Sequence, residues 1–120
     1  MLGEALRGSI QSDSASSLYS ACITHRKFAK EHARLYPLLF SQSRLDGNEA
    51  LDIRAQSARA IIELFKNDRP NVALSKARTI TAYVHGFVTI EIADGFQLGG
   101  DVESAFEYGA KTIIQAILKN

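Results

Sequence analysis

The sequence predicts an all-α protein: a bundle of about five helices whose last two, long and rich in apolar residues, form a four-helix interface with a second copy. Three observations lead there. Apolar residues recur at helical spacing, most regularly at Leu51, Ala55, Ala58, Ile62 and Phe65. Short polar residues precede the periodic runs, and Gly or Pro follows them, as helix starts and stops require. The one strand-like alternation, Val88, Ile90 and Ile92, has no second run to pair with and lies in a long segment of helix formers.

Length and composition narrow the rest. A chain of 120 residues, 46% hydrophobic and 22% charged, holds one core, so residues 1–120 are taken as a single domain. A net charge of +1 gives no overall attraction to nucleic acid or anionic lipid. The local basic run Arg26, Lys27, Lys30 and Arg34 is expected on a solvated helix face. The single Cys22 cannot form an internal disulfide, which favours a reducing cytoplasm. The N-terminus lacks the apolar stretch of a signal peptide, and the most apolar window, residues 80–93, is too short to span a bilayer.

Residues 2–10 carry Leu2, Leu6 and Ile10 at helical spacing, weakened by Gly3 and Gly8, and a Ser-rich turn follows. Asp13 or Ser14 then caps a helix over about Ala15 to Arg34, with Leu18, Cys22, Ala29 and Ala33 inward and Arg26, Lys27, Lys30, Glu31 and Arg34 outward. Pro37 should break the chain at Tyr36, leaving Leu38, Leu39 and Phe40 as a buried apolar turn. Asp46 or Asn48 caps the third helix, which Asn67 to Asn71 ends, with Asn71 capping the next. That fourth helix runs from about Ala73 to Gly95. Gly99-Gly100 makes the connection, and Asp101 caps the last helix, whose stripe is Val102, Ala105, Phe106, Gly109, Ile113, Ala116 and Ile117.

From Ile80 onward the fourth helix is apolar on nearly every side, so one face must be covered by something outside the domain. A homodimer covers it most simply, with Gly86, Val88, Ile90, Phe106, Gly109 and Ile113 of the last two helices in the interface. Gly86 and Gly109 each cost about 1 kcal/mol in a helix interior, which close helix contact offsets. Glu91 and Asp94 are expected toward solvent or at the rim of that interface.

Two segments, His25 to Phe40 and Tyr83-Val84-His85-Gly86 with its apolar continuation to Ala93, resemble the C-terminal domain of TetR-family transcriptional regulators. The likeness is to the branch named for a Trp-His-Gly motif, with Thr81 standing where the Trp falls and Pro37 placed later than the family's proline. The resemblance spans about residues 15–118 in element order. It implies a sensor that takes a small, mostly apolar effector between helices and dimerises. It also implies that residues 1–14 are a remnant of the helix linking the sensor to a DNA-reading head, so no direct nucleic-acid contact is expected from this chain.

Under that resemblance, the candidate effector-lining residues are Tyr19, Cys22, Phe28, Phe65, Tyr83, His85 and Phe87, aromatic or polarisable groups on inward stripes. Each is equally explicable as ordinary core, and His85 as a hydrogen-bonded core or interface histidine. Cys22 and His25 have the i, i+3 spacing of metal ligands, but two residues without a third do not make a site. No metal, cofactor or catalytic grouping is expected, and Gly99-Gly100-Asp101 is a turn and cap. The alternative to a sensor is a helical interaction module that holds no ligand and binds another protein through residues 80–93.

Overall fold

The computed structural model describes residues 14–39 and 59–119, apart from the side chains of Leu38 and Leu39. Four helices run in chain order: α1, Ser14–Glu31; α2, Tyr36–Leu39; α3, Pro70–Ile92; and α4, Val102–Leu118. Residues 59–63 are also helical, and no strand forms among the described residues. The all-α expectation holds, including the helical assignment of the alternating residues 88–92. The expected first helix, residues 2–10, and the apolar residues Leu51, Ala55 and Ala58 lie outside the described residues.

α1 forms because Leu18, Ala21, Cys22, His25 and Ala29 return to one side every three or four residues, and all are buried. It stops at Glu31, earlier than the expected break at Tyr36. A turn over residues 32–35 follows, in which the His32 carbonyl accepts from the amides of Leu35 and Tyr36. Pro37 falls in the first turn of α2, where its missing N–H leaves no intrahelical bond unmade. The chain therefore turns before Tyr36, and Tyr36 enters the core with no exposed surface.

Residues 61–66 close the preceding helix through a run of amide bonds to carbonyls three residues back. Ala60, Ile61 and Phe65 are buried while Ile62 is only partly so, which turns the buried side away from the expected stripe. α3 begins at Pro70 with Arg69 at the N-cap, two residues before the expected Asn71 cap. Arg69 has no side-chain acceptor, so the helix starts without a side-chain cap, while Pro70 at N1 removes one amide that would otherwise lack an intrahelical partner. At its other end Asp94 takes a positive φ of 57°, and the Gly95 amide bonds the Ile90 carbonyl at 2.8 Å. Gly95 matters here for space, because a Cβ on it would lie 2.7 Å from Ile90 Cγ2.

Gly99 and Gly100, with φ of 81° and 82°, carry the chain through left-handed geometry into α4. Asp101 caps α4 as expected, accepting from the Glu103 amide at 3.1 Å and from Ser104 Oγ at 2.6 Å. The buried stripe of α4 is Phe106, Ala110, Ile114 and Ile117. Ala105 and Ala116, expected on it, are exposed. α1, α3 and α4 pack against one another in all three pairs around a core of Leu18, Ile80, Val84, Val88 and Phe106.

Candidate functional site

Two adjacent residues of α1 each grip the other helices through polar contacts. Tyr36 Oη lies 2.7 Å from His25 Nε2 and 2.8 Å from His85 Nδ1, joining α1, α2 and α3 in a His-Tyr-His chain. A phenol has one proton, so Tyr36 donates to one imidazole and accepts an N–H from the other. Two neutral histidines satisfy this pattern, whereas a cation on the accepting ring breaks it. Burial pushes His25 down to about 4, with the nearby His85 adding to the shift, and burial also lowers His85. Burial raises the Tyr36 phenol. All three groups are therefore held neutral at pH 7.

Arg26, one residue on, was expected on the solvated face and is instead 6% exposed. Its Nε donates to Glu91 Oε1 at 3.0 Å and its Nη2 to Glu91 Oε2 at 2.7 Å, a two-pronged bond from α1 to α3. Its Nη1 reaches Glu103 Oε1 on α4 at 3.1 Å. The guanidinium also lies 5.0 Å from the ring centre of Phe106 and 6.0 Å from that of Phe87. Lys30 Nζ stands 3.7 Å from Glu91 Oε2. Hydrogen bonding from Arg26 holds the Glu91 carboxyl below its ordinary range, and that bond in turn raises Arg26. Glu91 is thus an internal ion-pair partner, and the expectation of a solvent-facing or rim position is corrected.

The α3–α4 seam is built differently. Tyr83 lies across Gly109 and donates its hydroxyl to the Phe106 carbonyl at 2.8 Å. A Cβ on Gly109 would overlap that ring, at 2.6 Å from Tyr83 Cζ, so only glycine admits it. Tyr83, Phe87 and Phe106 pack at centroid distances of 5.0 to 6.0 Å, Tyr83 stacked on Phe106 and Phe87 edge-on to it, and Phe96 covers Phe87 at 4.8 Å.

The residues expected to line an effector site are thus divided. Tyr83 and Phe87 share the aromatic cluster. Burial raises the Tyr83 phenol, with the nearby buried Cys22 adding to the shift, and burial pushes the Cys22 thiol up to about 12. His85 belongs to the His-Tyr-His chain. Tyr19 lies under Lys111, Phe28 stacks on His32, and Phe65 lies under Lys76. Among the expected dimer residues, Val88 and Phe106 are buried within the chain itself, at 0% and 1% exposure. They can only support an interface from beneath. Gly86, Gly109 and Ile113 are partly exposed, and Ile90 is exposed.

Cys22 and His25 both face the core, while His32 is exposed and donates its Nδ1–H to the Phe28 carbonyl. Among the described residues no three His, Cys, Asp or Glu side chains gather as a metal site, and no helix is long and apolar enough to cross a membrane. Sequence reasoning missed two sets, Arg26 with Glu91 and Glu103, and Tyr36 between His25 and His85.

The chain matches the sequence model of a family described as tetracyclin repressor-like, C-terminal domain, over residues 18–113. No curated protein matches it.

Proposed function

Because the chain belongs to the tetracyclin repressor-like C-terminal domain family, we propose that it is the sensing and dimerising part of a TetR-like regulator. A small, mostly apolar effector lodges between the helices, and a second copy packs on the outer sides of α3 and α4. The observation that carries self-association is the outward stripe of α3. Val72, Ser75, Thr79, Ala82, Gly86 and Ile90 are uncharged and partly or fully exposed, and a Cβ on Gly86 would meet nothing within 4 Å. Exposed apolar and small groups on two successive helices suit a self-complementary contact.

Effector binding is supported by the aromatic cluster of Tyr83, Phe87 and Phe106 beside buried Cys22, with half-buried His85 as a polar group on the same helix. An effector that prefers one packing of α1 against α3 and α4 shifts the population toward it, and in a dimer alters the spacing of attached DNA-reading heads. The finer placement, in the branch named for a Trp-His-Gly motif, rests on Tyr83 to Gly86. Work in a reducing cytoplasm agrees with the free Cys22. A thermal-shift screen of small apolar compounds tests sensing. A native-state binder raises the Tm, and no rise across a broad panel would reduce the chain to its structural role.

A further inference from the structure

A groove of about 370 Å³ opens between α1 and the first turn of α4, lined by Ile23, Arg26, Lys27, Lys30, Glu31 and Glu103. Its volume is in the range of small-molecule sites. The charged groups around it are unequal. The Arg26 guanidinium is fixed from below by the two-pronged bond to Glu91, whose side chain is 16% exposed, and by the rings of Phe87 and Phe106. Its third leg, Nη1 to Glu103, is a single bond to a side chain 68% exposed. Breaking the buried pair is costly, whereas exchanging an exposed carboxylate costs little.

We infer that this groove binds a small carboxylate with an apolar body, and that Glu103 is an internal competitor occupying the carboxylate position on Arg26. The ligand carboxylate bonds Arg26 Nη1 when Glu103 swings out. Lys30, half exposed and already near Glu91, comes within reach of its second oxygen. Ile23, 37% exposed on the same wall, covers the apolar body. With Glu103 withdrawn, the groove lining keeps three cations, Arg26, Lys27 and Lys30, beside Glu31, with Glu91 bonded beneath Arg26 and Asp101 near it. The groove lining shares no residue with the apolar effector cluster proposed above, although Arg26 rests on Phe87 and Phe106, so the test is read through Glu103 and Lys30, which that cluster does not include.

Benzoate and its neutral counterpart benzamide are titrated calorimetrically into the whole chain at pH 7 and low salt, with the fold of each variant checked by circular dichroism. Benzoate binds and benzamide does not. Glu103→Gln removes the competitor and tightens benzoate about three-fold, the size of an exposed ion pair. Lys30→Met, a change at an exposed position, weakens it. The inference is overturned if neither the parent chain nor Glu103→Gln binds benzoate, or if the two compounds bind alike. It is equally overturned if Glu103→Gln fails to tighten benzoate or Lys30→Met leaves its affinity unchanged.

Discussion

α3 meets its two neighbours through contacts of opposite character. Against α1 it is held by directional polar bonds, Arg26 to Glu91 and the His25-Tyr36-His85 chain, both anchored on consecutive residues of α1. Against α4 it is held chiefly by packed rings and by a glycine that admits one of them, with a single hydrogen bond from Tyr83 to the Phe106 carbonyl. Directional bonds between buried groups define one register, because a slip strands charges and imidazoles without partners. Ring and methyl contacts are less directional, and an uncharged stripe stays open on each helix, Val72, Ser75, Thr79, Ala82 and Ile90 on α3 and Ala105, Tyr108, Thr112 and Ala116 on α4. The difference fixes the register of the α1–α3 seam and leaves the α3–α4 side as the place where the proposed second copy would pack.

The largest expected effect breaks the polar seam. Arg26→Met leaves the Glu91 carboxylate with only the more distant Lys30, 3.7 Å away, and costs about 3 kcal/mol in urea unfolding. Adding Glu91→Leu recovers most of that loss, since apolar packing then replaces the whole pair. A double variant no more stable than Arg26→Met would show that the ion pair supplies more than register.

The histidine chain makes the same seam acid-sensitive. His25 is held down to about 4 from an ordinary 6.5, so the unfolded chain binds the proton first. Its contribution is complete above pH 6.5, is lost as pH falls toward 4, and amounts to about 3 kcal/mol across that window. Glu91, also lowered, adds a second loss only below the ordinary carboxylate range. Unfolding free energies from pH 8 to pH 4 check this, and a flat profile between pH 6.5 and pH 4 would contradict it. Tyr36→Phe, which removes the phenol between two rings, costs about 1–3 kcal/mol at pH 7.

The helices were legible in the sequence because their periodicity is local: Leu18 to Ala29 and the cap at Asp101 can be read from neighbours within a few residues. The polar seam was not, because its partners are 65 and 49 residues apart in the chain. No local pattern tells Arg26, which turns inward, from Lys27, which faces out. The rotation of the α4 stripe escaped for a related reason. Residues 105 to 117 offer enough small and apolar side chains to support two faces, and only packing against Tyr83 and Arg26 selects the one containing Phe106 and Ala110.

The apolar seam is probed by its two helical glycines. Gly109→Ala pushes a methyl into the Tyr83 ring and costs about 1–3 kcal/mol by overpacking, and a smaller side chain at Tyr83 should relieve part of it. Gly86→Ala meets nothing within the chain and stabilises α3 by up to about 1 kcal/mol in the monomer. Opposite signs in thermal melts separate a glycine needed inside one chain from a glycine open to a second.

Light scattering of the whole chain beside Gly86→Leu tests self-association through α3 and α4 most directly. The parent chain is expected to have twice the 13.2 kDa mass of one copy, and Gly86→Leu to run as a single copy with an unchanged helical circular-dichroism spectrum. A parent chain that stays at one copy at every concentration, or a Gly86→Leu chain that remains at two, would contradict it.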